Sequence, residues 1–138
     1  MNENIQQGDW LIPNGCEEPH QVRAISYQED LAGKWTIITF EGNNDFWQVW
    51  YYPQSCKPVP ITKEILENNG WRPVDGVCAS ICRHDGYNLS ILHWAKPGIN
   101  LTINKGGYGH NFVCMPIEYV HELQHALRLC GIKKEIVV

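Results

Sequence analysis

The stretch Ile117-Glu-Tyr-Val-His-Glu-Leu-Gln-His-Ala-Leu-Arg-Leu-Cys-Gly131 carries the strongest periodic signal in this chain and decides its C-terminal architecture. Its apolar residues recur at about 100° per residue, which predicts an amphipathic helix over residues 117–131. One side of this helix gathers Tyr119, Leu123, Ala126, Leu127 and Cys130, with Val120 at its edge. The opposite side gathers Glu118, His121, His125 and Arg128, with Glu122 and Gln124 at its margins. We therefore expect the first side to be buried and the second side, with both histidines, to face solvent.

The polar side also spells H-E-x-x-H, the signature of zinc metallopeptidases, at His121, Glu122 and His125. In such enzymes the two histidines bind Zn²⁺ and the glutamate activates the metal-bound water as general base. A catalytic zinc site also needs a third protein ligand, and no spacing singles one out. The candidates are His20, His84, His93, His110, several cysteines and Glu135. We therefore favour a chance match without zinc or another cofactor, and the alternative is a zinc-dependent hydrolase in which Glu122 is catalytic and His121 and His125 bind the metal.

Length and charge limit the classes of protein that this chain can belong to. Its 138 residues suit one domain or two small lobes that share a core. Residues 1–60 contain three basic and eight acidic side chains, a net charge of −5, which disfavours nucleic acid as a partner of this region. The polar start of the chain and the lack of a bilayer-spanning apolar run predict a cytoplasmic protein without membrane contact. In that reducing compartment we expect the six cysteines to be free thiols.

Residues 1–60 have the pattern of a small β lobe. Segments rich in β-branched and aromatic residues alternate with glycine-containing turns. The predicted strands are Asp9–Pro13, Gln21–Tyr27, Trp35–Phe40 and Phe46–Tyr52. Short antiparallel strands at this spacing predict an SH3-like barrel or meander. In the last strand, Trp47, Val49 and Tyr51 share one side, which we expect to face the barrel interior, and Phe46, Gln48, Trp50 and Tyr52 share the other.

Residues 61–138 have the pattern of a helix, an antiparallel sheet and the C-terminal helix. Lys57-Pro-Val-Pro60 predicts a stiff connector before this region, and Thr62 is the predicted cap of a helix over Lys63–Asn69 that Gly70 ends. The predicted strands are Val77–Arg83, Asn88–Ala95, Ile99–Asn104 and Asn111–Met115. The predicted fold class is therefore α+β, with lobes 1–60 and 61–138 packed together as one compact unit.

The aromatic strand and the glycine-rich turn Lys105–His110 contain a second set of candidate site residues. These are Trp47, Trp50, Tyr52 and Tyr108. Packing accounts for most aromatic residues in a chain of this size, because such large apolar side chains must be buried somewhere. The functional hypothesis is that these four side chains form a binding surface for a protein or a small ligand.

Two segments, Lys57–Trp71 and Tyr119–Leu127, resemble a family of small uncharacterised proteins frequent in gut Bacteroides-type genomes, their phages and mobile elements. The shared patterns are a P-[IV]-P-[IL]-T-x-E bridge and a terminal Y-V-H-x-L-Q helix, together with an early G-[DN]-[WY]-[LV] start. The layout matches over the whole chain, and the close match is confined to these segments. The family usually has Asn where this chain has His125, so the resemblance implies that a single residue completes H-E-x-x-H here. The family has no established catalytic residues to transfer.

These observations together predict a non-enzymatic binding or accessory protein, encoded by a prophage or mobile element, whose partner is another protein. The alternatives are the zinc-dependent hydrolase on the last helix and a small-ligand binder on the aromatic strand.

Overall fold

The structure is a computed structural model that describes residues 5–42, 49–75, 79–92, 99–105 and 111–138, with the backbone alone for residues 111–114. The chain divides into two compact units, residues 1–59 with Val138 and residues 60–137. Each unit contains a five-stranded antiparallel sheet, and the described part of the second unit also contains two helices. The predicted mixture of helix and sheet is confirmed. The packing of the two lobes as one compact unit stays a prediction.

The N-terminal sheet has the strand order β4-β3-β2-β1-β5. Its strands are β1 (Trp10–Ile12), β2 (His20–Asp30), β3 (Gly33–Phe40), β4 (Trp50–Tyr51) and β5 (Lys57–Pro58). The strands β2 and β3 form a long hairpin that pairs from Val22 with Phe40 to Asp30 with Gly33. The described strands form an open sheet with edges at β4 and β5, and they close no barrel. The connector predicted at residues 57–60 is shorter than expected, because Lys57 and Pro58 pair with β1.

The core of this sheet lies at one end of the long hairpin. Alternation along β3 puts Ile38 and Phe40 on the inner face, where they are buried with Leu11, Val22 and Cys56. The other end of the hairpin extends beyond this cluster, and Tyr27 there is 79% exposed. Asp30 fixes the tip, because its Oδ1 accepts a hydrogen bond from the Ala32 N–H at 2.6 Å.

The aromatic strand predicted at Phe46–Tyr52 is β4, and within the described residues it contains Trp50 and Tyr51 alone. Tyr51 points inward, as its parity predicted, and its ring packs edge to face on Phe40 with centroids 5.5 Å apart. The expectation for Val49 is wrong, because this residue is 47% exposed. Pairing with β3 begins at Trp50, so no neighbouring strand fixes the direction of the Val49 side chain. Phe46, Trp47 and Gln48 lie outside the described residues.

The C-terminal sheet is a meander with the order β10-β9-β8-β7-β6. Alternate residues of its central strands, such as Leu89, Ile91, Leu101 and Ile103, are completely buried. The elements of this unit are α1 (Lys63–Asn68), β6 (Arg72–Pro73), β7 (Ala79–His84), β8 (Tyr87–Leu92), β9 (Ile99–Lys105), β10 (Asn111–Ile117) and α2 (Val120–Leu129). The glycine-rich turn and the ends of the predicted strands at residues 77–78 and 93–95 lie outside the described residues.

The helix α1 begins at Lys63 as predicted and ends at Asn68, one residue before the predicted end. The Thr62 hydroxyl accepts a hydrogen bond from the Ile65 N–H at 3.2 Å, which satisfies a donor of the first helical turn. Gly70 follows the helix with a φ of 98°, a value that favours glycine. Trp71 comes next and is completely buried, with its indole N–H donated to the Leu89 carbonyl at 3.1 Å.

The last residues of this unit, 132–137, fold back along α2, and we call them the C-terminal tail. Gln124 donates to the Lys134 carbonyl at 2.9 Å and accepts from the Ile136 N–H at 2.7 Å. Asn69, at the end of α1, donates to the Val137 carbonyl at 2.7 Å and accepts from its N–H at 2.8 Å. Ile132 and Ile136 are buried. Two side-chain amides therefore hold the tail by the same two-way bonding that a neighbouring strand would provide, and we call this pair the amide clamp.

We expect Asn69→Ala and Gln124→Ala each to lower the free energy of unfolding by about 2–3 kcal/mol, since each removes two or more partly buried hydrogen bonds at about 1 kcal/mol each. Urea denaturation measures this loss. The matched controls are Asn68→Ala and Gln54→Ala, which replace exposed amides and should cost little. Because both amides hold one tail, the double variant should lose less than the sum of the single losses. Equal losses for clamp and control variants would show that the clamp contributes nothing.

Because of two buried thiols, we expect the free energy of unfolding to depend on pH in the alkaline range. Burial raises the pKa of the Cys56 thiol, and burial likewise raises the pKa of the Cys82 thiol, although Lys134 and Arg72 oppose the second shift. The unfolded chain therefore releases these protons first as the pH rises. Their contribution to stability is complete below the pKa of an unfolded thiol, about 8.5, and is lost as the pH rises through the folded pKa.

We expect the free energy of unfolding to fall as the pH rises above about 8.5, the pKa of an unfolded thiol, and the fall to be smaller in Cys56→Ala/Cys82→Ala. Urea titrations at each pH measure it. Cys130→Ala, which replaces a half-buried thiol, is the control. A fall of the same size in the double variant would contradict the assignment to these two thiols.

Candidate functional site

Glu122, the central residue of the H-E-x-x-H motif, caps the start of α2. Its Oε1 accepts hydrogen bonds from the Tyr119 N–H at 2.9 Å and from the Glu118 N–H at 3.1 Å. Glutamate at the third helical position reaches back in this way in a capping box. Its negative charge also interacts favourably with the positive end of the helix dipole. The carboxylate that a zinc hydrolase would use as general base is thus bonded to two backbone donors.

The prediction that the polar side of the last helix faces solvent is wrong for two of its residues. His121 is 6% exposed and Gln124 is 2% exposed, whereas Leu129 is largely exposed. Gln124 is buried because the backbone of the C-terminal tail covers its side-chain amide. Helical periodicity measures which side of a helix is more apolar, and it does not detect a polar side chain that is buried against a backbone.

The two histidines of the motif lie against each other and against the tyrosine that precedes the helix. The rings of His121 and Tyr119 are stacked, with centroids 5.9 Å apart and planes 8° apart. The His125 ring, which is half-buried, meets His121 edge to face at 5.6 Å. One helical turn separates the histidines, so both rings occupy the same part of the helix surface. His121 is thereby enclosed in an aromatic cluster that helps to fix the start of α2.

The described candidates for a third ligand, His20, His84 and Glu135, have other contacts. The His84 Nε2 lies 3.2 Å from the Lys133 carbonyl and 3.4 Å from the Asp85 carboxylate. Glu135 accepts from Arg128 at 3.4 Å, and His20 belongs to the other unit, where it lies near Phe40. Within residues 5–42, 49–75, 79–92, 99–105 and 115–138, no three His, Cys, Asp or Glu side chains are grouped as metal ligands. His93 and His110 lie outside the described residues.

Trp50 and Tyr52 form an exposed aromatic pair on the N-terminal sheet. Their rings meet edge to face with centroids 5.3 Å apart, and they are 50% and 44% exposed. Trp50 lies directly opposite Thr39 of β3, so it shares the outer face of the sheet with Ile37 and Trp35, which are half-buried. We call Trp35, Ile37, Trp50 and Tyr52 the outer aromatic surface. Trp47 and Tyr108, the other predicted binding residues, lie outside the described residues.

An open depression of about 250 Å³ lies beside this surface, at the exposed end of the long hairpin. Its lining residues are Tyr27, Gln28, Glu29, Lys34, Trp35 and Thr36. The sequence predicted strands over three of these six positions and gave Tyr27 and Trp35 no functional role. The depression is recognised from the structure, in which both strands of the hairpin continue past the last residue that pairs with β1 or β4.

The described cysteine side chains are Cys16, Cys56, Cys82 and Cys130, and all four are free thiols in the structure. Cys16 and Cys56 lie near the Tyr51 hydroxyl. Burial raises the pKa of Tyr51, and the neighbouring Cys16 thiol adds to the shift by charge and by a hydrogen bond. Cys78 lies outside the described residues, as does the side chain of Cys114.

We expect Glu122→Ala to lower the free energy of unfolding by about 1 kcal/mol through loss of the cap, and Glu122→Gln to lower it less, because the amide oxygen still accepts both backbone bonds. Urea denaturation measures both values, and Glu118→Ala, an exposed neighbour, is the control. A hydrolytic activity that Glu122→Gln abolishes without a change in stability would instead identify this carboxylate as a catalytic base.

Comparisons with known proteins add no relative to this picture. No family model, curated protein or solved structure matches the chain. Among the described residues, no helix has both the length and the apolar character needed to cross a membrane.

Proposed function

We propose that this chain is a non-enzymatic binding protein that contacts a partner protein through the outer aromatic surface. The observation that carries the proposal is the Trp50–Tyr52 pair, which is half exposed although each ring is held against the other. Tryptophan and tyrosine dominate the residues that contribute most to protein–protein affinity. Rings already held in place lose little conformational freedom when a partner covers them.

The shape of the surface supports a protein partner over a small molecule. Small-molecule sites are concave and enclose most of their ligand, whereas the depression beside Trp35 is open. Its lining also mixes an ion pair, Glu29 with Lys34 at 3.7 Å, with the aromatic groups. A partner protein can cover the depression and the aromatic pair together. The net charge of −5 over residues 1–60 disfavours nucleic acid on this unit.

The proposal assigns no metal and no catalytic residue to the H-E-x-x-H helix. It is supported by the bonding of the Glu122 carboxylate to the helix start and by the stacking of His121 on Tyr119. In this proposal the motif residues stabilise α2. The zinc-dependent hydrolase remains the competing hypothesis, and stoichiometric zinc in the purified protein would favour it.

The wider setting belongs to the same proposal. The family resemblance implies an accessory protein of a phage or mobile element, and a cytoplasmic location is part of the same proposal. An SH3-like architecture of the N-terminal unit is also part of this proposal, supported by the antiparallel pairing of the five strands β1 to β5.

The test begins with a photo-reactive residue at Val49, which is exposed and adjacent to the aromatic pair. Cross-linking in the producing cell and mass spectrometry identify the protein in contact, which is then purified for affinity measurement. We expect Trp50→Ala/Tyr52→Ala to weaken binding by about 30-fold or more, the loss of about 2 kcal/mol typical of central aromatic residues.

The matched control is Leu129→Ala, which truncates another largely exposed apolar side chain on α2 and should leave affinity unchanged. Circular dichroism of each variant checks that the fold is retained. An affinity for the purified partner that the double aromatic variant does not change would overturn the assignment of this surface.

A further inference from the structure

Among the described residues, no strand pairs with the outer edge of β3 over more than half of its length, and we call this part the open edge. The neighbouring strand β4 pairs only with Ile38 and Thr39. Pro53 follows Tyr52 and starts a 3₁₀ turn, and because proline has no N–H, the chain cannot continue as a hydrogen-bonded strand along β3. Within the described residues, no strand therefore covers the edge of β3 from Gly33 to Ile37.

This open edge is already ordered in the conformation that an added strand requires. Residues Gly33 to Ile37 pair on their other side with Ser26 to Asp30 of β2. The hairpin tip is fixed by Asp30, and Glu29 pairs with Lys34 across the two strands. In an antiparallel pair, alternate residues direct their N–H and C=O groups away from the partner strand. The edge thus offers a fixed row of backbone donors and acceptors, which is the template for strand addition.

Side chains on both faces of the edge would contact an added strand. On the outer face lie Trp35 and Ile37, continuous with Trp50. On the inner face lie Thr36 and, directly opposite it, the exposed ring of Tyr27 beside the open depression. An added strand alternates its side chains between these faces, so its apolar residues can cover Trp35 and Ile37 while the intervening residues remain near solvent.

Charge indicates which kind of added strand the open edge of β3 can bind. Residues 1–60 carry a net charge of −5, so a segment rich in Lys and Arg is attracted to this unit. A second copy of the same edge would bring two acidic units together, and their repulsion opposes self-pairing.

We propose that the open edge of β3 binds an extended, basic segment of the partner protein as an added β-strand. This inference rests on the proposed function, because it names how the outer aromatic surface is used. Backbone hydrogen bonds along Gly33 to Ile37 supply much of the affinity, and Trp35, Ile37 and Trp50 select apolar side chains at alternate positions.

The test is a nuclear magnetic resonance titration of the full chain with a synthetic peptide of alternating Lys and Val residues. We expect shifts in the backbone amides of Gly33 to Ile37 and in the Trp35 indole. A peptide with the same side chains but methylated backbone nitrogens should bind at least about tenfold more weakly, because it cannot donate to the edge. The matched peptide of alternating Glu and Val should also bind at least about tenfold more weakly.

Three outcomes would overturn the inference. The first is the absence of shifts at Gly33 to Ile37 with the basic peptide, and the second is equal binding of its methylated counterpart. The third is a concentration-dependent change in these amides without peptide, accompanied by dimers in sedimentation, which would assign the edge to a second copy. The proposed function has its own test, because it is contradicted if Trp50→Ala/Tyr52→Ala leaves the affinity for the partner protein unchanged.

Discussion

The arrangement of the C-terminal unit depends on the hydrogen bonds by which Gln124 and Asn69 hold the last residues of the chain. One amide comes from α2 and the other from the end of α1, so the tail links the two helices. In the tail, Ile132 and Ile136 are buried on either side of the charged residues 133–135. Because the clamp satisfies backbone donors and acceptors of the tail, these apolar side chains can be buried without leaving the adjoining backbone groups unsatisfied.

The clamp changes the interpretation of the helix that first suggested an enzyme. On a solvent-facing helix, His121, Glu122 and His125 would be free to hold a metal ion and a water molecule. In the structure the neighbouring Gln124 binds the tail, Glu122 caps the helix, and His121 stacks on Tyr119. The segments Lys57–Trp71 and Tyr119–Leu127 contain the clamp residues and the buried Trp71. Each of these residues thus has a structural contact that accounts for its presence.

Local signals in the sequence predicted local features well. Thr62 and Gly70 marked the ends of α1, and the β-branched and aromatic residues of Trp35–Phe40 predicted most of β3, because each signal acts within a few residues. The burial of Gln124 could not be predicted in this way, since it depends on a tail that returns along the helix. The exposure of Val49 depends on where pairing with β3 begins, and the two-residue strands β5 and β6 are too short to give a periodic signal. Trp50 and Tyr52 of the proposed binding surface were already candidate residues in the sequence. Trp35 was added because it lies along the open edge of β3.

The central claim is that the polar side of α2 anchors the C-terminal tail, and amide hydrogen exchange of Ile136 and Val137 tests it most directly. Their N–H groups donate to Gln124 and Asn69 respectively, at 2.7 and 2.8 Å. The account predicts that both amides exchange far more slowly than those of an unstructured terminus, and that a metal chelator leaves their rates unchanged. Exchange at the rate of an unstructured chain would contradict the clamp. Protection that disappears when the chelator is added would show that a bound metal, and not the two amides, orders this part of the protein.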